Sequence, residues 1–423
     1  MLKKILSTVF SKILIGFLNL AILIINSKYF GSQGLGVISL IVLAISFYVL
    51  LNGIIGGGTF MYFVPRINTS NLFIISYLWA IFSFFVFFII LNTITLVPPE
   101  YIFHVLFVSI IFSLTNVNLQ IIAGKKKLNI YNLINSIQYL LLFLSLLIFF
   151  YFANNNNLIN YIYSLYISYS ITYILSLFYT RQYLKSINLS SLYSDFKQVF
   201  ILGIQNFFAA VTQKLNYRLS YYFIERMLNL KQLGHYSAGV QLSESTWILG
   251  RSLSFVQYSE SVNINEPQKK EFLTVLLVKL SFIISVSAIL VLLLIPDNFF
   301  VFLLGKDFSQ IHDIISALAP GIITLSCSFI FSSYFSAVGK PRFNTFSSVA
   351  GLIVTAGSGY FLISNFGITG AGILASLSYT VSTVYQFVIF IKISNTKIGD
   401  FLINKNDFVL FKKLIHESFK RLH

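Results

Sequence analysis

Residues 205–245 read QNFFAAVTQKLNYRLSYYFIERMLNLKQLGHYSAGVQLSES. The pattern predicts one membrane-spanning helix, a short turn and the start of a second span. Lys214 and Arg218 lie inside the first of these spans and Glu244 lies inside the second, whereas the other predicted spans are nearly free of charge. A lysine or arginine at the centre of a membrane helix costs roughly 2.5–3.5 kcal/mol on insertion scales. We therefore expect these side chains to face water, an opposite charge or a ligand.

The amino-acid composition indicates a polytopic membrane protein. Of the 423 residues, 57% are hydrophobic and 10% are charged, and the mean hydropathy is +0.82. A soluble globular protein has about 25% charged residues. The 29 lysines and arginines outnumber the 13 aspartates and glutamates, but they fall in short connections between apolar runs, which argues against nucleic-acid binding. The single cysteine excludes an intrachain disulfide.

Apolar runs of about 20 residues, the length of a membrane-spanning helix, occur twelve times along the chain. Most lysines and arginines fall in the connections that share a side with the N-terminus, which predicts that both termini are cytoplasmic. No cleavage site follows the first run, so we interpret it as a retained span. Lys279 lies only a few residues inside its span, and we expect its ammonium group to reach the membrane surface. The predicted spans are residues 10–30, 35–58, 72–96, 101–122, 129–152, 158–180, 199–223, 236–258, 272–295, 313–337, 343–364 and 368–391.

Two short motifs recur six spans apart and indicate an internal repeat. A Leu-Gly pair opens the second span at 35–36 and the eighth span at 233–234. A Gly-Lys pair precedes the fifth span at 124–125 and the eleventh span at 339–340. Because six is an even number, both halves enter the membrane in the same sense. We therefore predict an all-α membrane protein of twelve transmembrane helices, arranged as two parallel six-helix bundles around a central cavity.

The domain prediction follows from these spans. In the C-terminal tail, Phe408 and Phe411 share a helical face, with Lys412 and Lys413 directed elsewhere. This pattern fits a basic helix that lies on the membrane surface, and a helix docked on the protein is the alternative. The predicted parts are an N-terminal bundle (1–180), a cytoplasmic amphipathic linker (181–198), a C-terminal bundle (199–392) and a basic cytoplasmic tail (393–423).

With twelve predicted spans in two bundles, the chain resembles the polysaccharide-transporter branch of the MOP exporter superfamily, and most of all the Wzx-type O-antigen flippases. The resemblance extends over essentially the whole chain. It rests on the order and spacing of several motifs, since each one alone is unspecific. These motifs are YFGSQGLGVISL (29–40), LGHYSA (233–238), LGKDF (304–308), LAPG (318–321), GKP (339–341) and FGITGAG (366–372).

The resemblance implies a transporter, not an enzyme, in the bacterial cell inner membrane, without a cofactor or a metal. The implied activity is alternating-access translocation of undecaprenyl-diphosphate-linked oligosaccharide from the cytoplasmic to the periplasmic leaflet. Such an oligosaccharide is the repeat unit of the O-antigen of lipopolysaccharide or of a capsule, so the implied role is in polysaccharide biosynthesis. The implied partners are the lipid-linked substrate, membrane lipids and other polysaccharide-assembly proteins.

A substrate of this kind implies a cationic cavity between the bundles. Lys214, Arg218, Arg251 and Asn216 are the candidate substrate-binding residues. Lysine and arginine donate hydrogen bonds to phosphate, and arginine can donate two in parallel. Glu244 is a candidate for charge pairing with an arginine or for ion coupling, and the sequence leaves both roles open.

Two alternatives of other classes remain. A MATE-like exporter of drugs or metabolites shares the twelve-span plan. It would favour carboxylates in the cavity, whereas the charges within the predicted spans are mostly cationic.

A membrane polysaccharide polymerase is the enzymatic alternative. It would need a sizeable external loop, and the predicted external connections are short. The sequence also lacks a Walker A string, a DxD pair and metal-ligand spacing.

Overall fold

A computed structural model of the chain describes residues 2–152, 157–404 and 407. In this part the chain is 87% helix with no strand, which confirms the all-α prediction. The predicted surface helix of the tail, residues 408–422, lies outside the described residues. The helices are α1 (Leu2–Asn52), α2 (Phe60–Phe63), α3 (Thr69–Thr93), α4 (Ile102–Gly124), α5 (Leu128–Phe152), α6 (Ile159–Arg181), α7 (Leu192–Met227), α8 (Leu230–Ser245), α9 (Trp247–Asn263), α10 (Pro267–Leu294), α11 (Asp297–Leu304), α12 (Ile311–Ala337) and α13 (Arg342–Ile393).

Helices α1 and α13 are each interrupted by one glycine. Gly31 has a φ of 65° and Gly367 a φ of 58°, in the left-handed region that side chains with a Cβ avoid. Each of these long helices therefore consists of two helical segments that meet at the glycine. Both breaks fall at positions where the hydropathy pattern separates two predicted spans.

Eight helical stretches within the described residues are long and apolar enough to cross a membrane. Helices α7, α8 and α9 are not among them. Helix α7 carries Lys214 and Arg218, and α8 and α9 are only 16 and 17 residues long. The eight stretches are residues 10–63, 69–93, 99–124, 128–152, 159–181, 267–294, 311–337 and 342–393.

Each half of the chain has its own aromatic core. In the N-terminal half, the fully buried Tyr48 donates a hydrogen bond to the carbonyl oxygen of Ala80 at 2.8 Å and packs edge-on against Phe87. In the C-terminal half, Trp247 and Tyr379 are buried with ring centroids 6.1 Å apart. Buried aromatic pairs of this kind contribute both apolar burial and directional ring contacts.

The two halves meet where the second segment of α1 crosses α8. A Cβ added to Gly36 would overlap the carbonyl oxygen of Leu230, and a Cβ added to Gly234 would overlap the carbonyl oxygen of Ser32. The absence of a side chain at both positions lets the two backbones touch. The Leu-Gly pairs that repeat in the sequence therefore pack against each other across the molecule.

A hydrogen-bonded carboxylate joins the halves beside this crossing. The Ser32 hydroxyl donates to Asp307 Oδ2 at 2.9 Å, and the Ser32 backbone N–H donates to the same oxygen at 3.4 Å. The serine hydroxyl lowers the pKa of the Asp307 carboxyl below its ordinary value. Because its pKa is lowered, the carboxylate stays ionised and keeps accepting these bonds at the ordinary pKa of an aspartate, and it loses them only at lower pH. We call this end of the molecule the Asp307 end.

At the opposite end, the connection from α6 to α7 is tied to the start of α3. The Asn71 amide donates to the carbonyl oxygen of Asn188 at 2.9 Å and to Asp195 Oδ2 at 2.7 Å. Gly203, further along α7, lies directly against the carbonyl oxygen of Ile54. Helix α7 therefore begins against the N-terminal half before it packs on α13.

The expectation that Lys279 reaches the membrane surface is wrong. Its side chain is 6% exposed and its ammonium nitrogen donates to both carboxylate oxygens of Asp407, at 2.9 and 3.1 Å. Asp407 is 7% exposed and comes from the chain after α13. A buried carboxylate more than a hundred residues away was not visible from spacing, so burial with a partner replaced the predicted surface location.

Candidate functional site

A cavity of about 250 Å³ lies between the two halves near the Asp307 end. Segments α1, α5 and α6 form one wall, and α7 with α8 forms the other. The lining residues are Asn19, Ile22, Leu23, Asn26, Leu35, Ile38, Ser39, Val42, Leu43, Tyr139, Leu142, Tyr161, Tyr169, Lys214, Arg218, Tyr221 and Gln241.

Lys214 and Arg218 both line this cavity. They lie one turn apart on α7, as their four-residue spacing predicts. The Arg218 guanidinium also lies over the Tyr221 ring, 5.2 Å from its centroid. The structure therefore brings the two predicted cations into one wall, while a role in substrate binding stays a prediction.

Arg218 is held by a carboxylate from α8. Its two terminal nitrogens donate to the two Glu244 oxygens, each at 2.6 Å, in a bidentate pair. The side chains are 19% and 16% exposed. Parallel bonds of this kind fix the plane of the guanidinium as well as its charge. Of the two roles that the sequence left open for Glu244, charge pairing is the one this geometry displays.

Lys214 has no such neighbour. None of the ion pairs and none of the side-chain hydrogen bonds found among the described residues includes its ammonium group. Arg218 and Glu244 neutralise each other, so the described charges of the cavity sum to one positive charge, on Lys214. Lys214 is therefore the charge of the described cavity that no carboxylate balances.

Asn216 lies away from the cavity. It is buried on α7 against α13, where its amide nitrogen donates to Ser382 at 3.2 Å and its amide oxygen accepts from Ser378. Two residues along a helix correspond to a rotation of about 200°, which puts Asn216 opposite Lys214 and Arg218. Its predicted contact with substrate stays a prediction.

Arg251 is exposed on α9 and does not line this cavity. Its guanidinium lies 5.6 Å from the Trp247 ring and 5.3 Å from the Phe329 ring. These cation–π contacts hold the arginine on an aromatic surface while leaving its hydrogen-bond donors accessible.

The opposite wall was not predicted. Asn19, Asn26, Tyr139, Tyr161 and Tyr169 line it, with no lysine, arginine, aspartate or glutamate among the lining residues of α1, α5 and α6. The available signal was weak, because a single asparagine or tyrosine in an apolar helix more often bonds a neighbouring helix. No cluster of three or more His, Cys, Asp or Glu that could hold a metal was found in the described part of the chain.

The fold resembles those of solved transporters. The lipid II flippase MurJ in an inward closed conformation matches with a TM-score of 0.75 and 15% identity, over 99% of this chain and 93% of MurJ. An inward-facing multidrug-resistance MATE transporter of the MOP superfamily matches with a TM-score of 0.67 and 13% identity, over 89% of this chain and 93% of that protein.

A third solved structure is described by the polarity of its binding pocket. It is a MOP-superfamily transporter from Pyrococcus furiosus, described as having a binding pocket of reverse polarity. It matches with a TM-score of 0.57 and 15% identity, over 92% of this chain and 95% of that protein. No protein-family profile and no curated protein matches the sequence. At these identities the likeness establishes the fold alone, which this chain shares with these solved structures.

Proposed function

We propose that the chain is a flippase that moves an undecaprenyl-diphosphate-linked oligosaccharide, of the O-antigen or capsule type, across the inner membrane. The observation that carries this proposal is the positive charge of the cavity, which Lys214 leaves unbalanced beside the Arg218–Glu244 pair. A diphosphate is the anionic part of such a substrate. The partly buried Lys214 ammonium group and Arg218 guanidinium supply the hydrogen-bond donors that a diphosphate needs.

The proposed topology has twelve spans in two six-helix bundles, with both termini cytoplasmic. The eight apolar stretches supply ten spans, because the breaks at Gly31 and Gly367 divide two of them. Helix α7 and the α8–α9 pair supply the remaining two. The proposed boundaries of the bundles, linker and tail stay as the sequence predicts them, at 1–180, 181–198, 199–392 and 393–423.

In the proposed mechanism, each charged residue has a separate task. Arg251, exposed on its aromatic surface, receives the diphosphate first. Lys214 and Arg218 then bind it in the cavity, and Glu244 holds Arg218 in place. The lipid tail stays in the bilayer while the headgroup passes between the halves, as alternating access requires.

A MATE-like exporter is the second candidate, and the similarity to MATE transporters over 89–92% of this chain supports it equally. A cationic drug would need a free carboxylate in the cavity. Glu244, the only carboxylate within α7 to α9 that approaches the described cavity, is bonded through both oxygens to Arg218. Because Glu244 is already bonded to Arg218, it is not available to a cationic drug, and this favours the flippase over the exporter.

Transport by the purified protein in lipid vesicles tests the proposal. Undecaprenyl diphosphate carrying N-acetylglucosamine is placed in one leaflet, and its appearance in the other is measured by lectin binding. We expect Lys214→Ala to slow transport at least tenfold and Arg218→Lys to retain part of it, because the charge remains while the planar fork is lost. Lys197→Ala, an exposed lysine on the same helix, is the matched control and should transport normally.

Two results would contradict the flippase proposal. One is normal transport of the lipid by the Lys214→Ala/Arg218→Ala double variant. The other is ethidium efflux by the wild type without any movement of the lipid, which would establish the MATE-like alternative.

A further inference from the structure

The cavity has two walls of different chemistry. The α7 wall carries Lys214 and Arg218, whereas the facing wall carries amides and phenol groups and no charged side chain among the lining residues of α1, α5 and α6. We call this facing set the neutral wall and define it by Asn19, Asn26, Tyr139, Tyr161 and Tyr169. The function proposed above uses only the cationic wall.

Asn26 has a buried acceptor that the protein itself leaves unused. The residue is 3% exposed and borders the cavity, and its Oδ1 accepts no hydrogen bond from any described residue. Buried side-chain amides are normally satisfied, and an unpartnered one beside a cavity points to a partner that enters from outside the fold.

Asn118, in the same half of the chain, shows the contrast. Asn118 is fully buried and its amide is used twice, since it donates to Ser176 at 3.0 Å and accepts from Tyr77 at 3.0 Å. Asn118 thus connects helices, which is the common use of an amide in a membrane helix. Asn26 differs from it in bordering the cavity and in having an Oδ1 without a partner among the described residues.

The tyrosines of the neutral wall are held rigidly by the core behind them. Tyr161 is 3% exposed and Tyr169 is 9% exposed, and Tyr169 stacks on Phe112 with ring centroids 4.6 Å apart. Neither the Tyr161 nor the Tyr169 hydroxyl bonds another side chain in the described part of the chain. Fixed rings with free hydroxyls present both a hydrogen-bonding tip and an apolar edge.

Neutral sugars are bound by this combination of groups. Their hydroxyls exchange hydrogen bonds with amides and phenols, and their C–H faces pack on aromatic rings. A wall without charge neither attracts the diphosphate nor repels it. The diphosphate would therefore bind the cationic wall and the sugar would bind the neutral wall. Ligand sites generally place a few polar groups on an otherwise apolar lining in this way.

We propose that the neutral wall is a carbohydrate-binding subsite that holds the sugar next to the diphosphate. The proposal rests on the flippase function proposed above. The cavity of about 250 Å³ is smaller than the 300–1,000 Å³ typical of drug-sized ligands. It therefore accommodates the part of the headgroup nearest the phosphates and not a whole repeat unit. The amides and hydroxyls of α1, α5 and α6 thus contact this sugar and select among sugars.

Binding to the purified full-length protein in lipid nanodiscs tests the subsite. The probes are undecaprenyl diphosphate alone and the same lipid carrying N-acetylglucosamine, N-acetylgalactosamine or galactose. We expect the wild type to bind at least one sugar-bearing lipid about tenfold more tightly than the bare lipid, a difference of about 1.4 kcal/mol. Asn26→Leu and Tyr161→Phe should each remove most of this preference and leave binding of the bare lipid unchanged.

Two further variants separate the walls. Lys214→Ala should weaken binding of all four lipids by the same factor, because it acts on the diphosphate. Tyr166→Phe removes a hydroxyl from the same helix, α6, that points to His104 and not into the cavity, and it should behave as wild type.

The subsite is overturned if no sugar-bearing lipid binds more tightly than the bare lipid. It is also overturned if Asn26→Leu and Tyr161→Phe weaken all four lipids equally, since they would then act through the fold. In either case an effect of Lys214→Ala would leave the flippase proposal standing. If the wild type binds none of the lipids, both proposals fail together.

Discussion

At the scale of single residues, Glu244 determines how much positive charge the cavity offers. Its carboxylate is bonded through both oxygens to Arg218, so it holds one cation rigidly and leaves Lys214 as the charge without a described partner. An ion pair at 16–19% exposure lies between the surface and the interior. Its disruption should therefore cost less than the roughly 3–5 kcal/mol of a fully buried pair and more than a surface pair.

We predict that Glu244→Gln lowers the free energy of unfolding by about 1–3 kcal/mol, because it leaves the Arg218 charge unpaired at a largely buried position. Combining it with Arg218→Gln should restore part of the loss, since the unpaired charge is then gone. Unfolding of the single and double variants in detergent measures the coupling. Unchanged stability of Glu244→Gln would mean that the pair is not structural and would return Glu244 to the ion-coupling role.

The two cations of the cavity could be predicted from the sequence, whereas the residues that face them across the cavity could not. Lys214 and Arg218 could be predicted together because a four-residue spacing fixes a shared helical face. The same helical geometry puts Asn216, two residues from each of them, on the other side of α7. Asn26 and Tyr161 were not identified because their chemistry depends on which side of a helix borders a cavity, a matter of packing between distant segments.

At the scale of helices, the crossing of α1 and α8 depends on the absence of two side chains. Gly36 and Gly234 each let the opposing backbone approach to direct contact, and Asp307 bonds Ser32 beside them. Pairs of small residues are the usual means of close approach between membrane helices. This contact lies beside the cavity, whose lining residues include Leu35.

We predict that Gly234→Ala opens the Asp307 end, because the added methyl group overlaps the Ser32 carbonyl oxygen and the halves must separate. The reporter is Gln241→Cys, a cavity position, in a Cys327→Ala background. Labelling by a membrane-impermeant thiol reagent from the Asp307 side should rise several-fold. Gly357→Ala, a helical glycine with open space around it, is the control. Equal labelling in both variants would mean that the crossing tolerates the methyl group.

The Lys279–Asp407 pair gives a second prediction at this scale. Both side chains are almost fully buried, so Lys279→Met or Asp407→Leu alone should destabilise the protein by about 3–5 kcal/mol, and the double variant should recover most of the loss. Lys269→Met, which breaks the exposed Lys269–Glu266 pair, should change stability by less than about 1 kcal/mol. Chemical unfolding of these variants in detergent provides the measurement. If both single variants are as stable as wild type, the tail is not anchored by this pair.

At the scale of the whole molecule, helix positions were predictable and the joining of the halves was not. Membrane spans follow from local hydropathy and length, so the predicted segments coincide with helices to within a few residues over most of the chain. The Leu-Gly repeat was visible in the sequence, but its physical meaning, a contact between the two copies, required the structure. Asp307 and Asp407 each bind a partner more than a hundred residues away, and no local pattern encodes such a pairing.

The unpaired Lys214 also determines how a transmembrane voltage would act on the proposed cycle. The described cavity charge is +1 when empty and becomes −1 when it holds a diphosphate with two negative charges. In a cell that is negative inside, the membrane potential favours outward movement of the loaded, negatively charged cavity and inward movement of the empty, positively charged one. Each step is favoured by up to about 2.3 kcal/mol per 100 mV, the value for one elementary charge that crosses the whole membrane. Lys214→Ala should shift the whole electrical effect to the loaded step. In vesicles with an imposed potassium diffusion potential, the empty return step of this variant should then no longer respond to voltage.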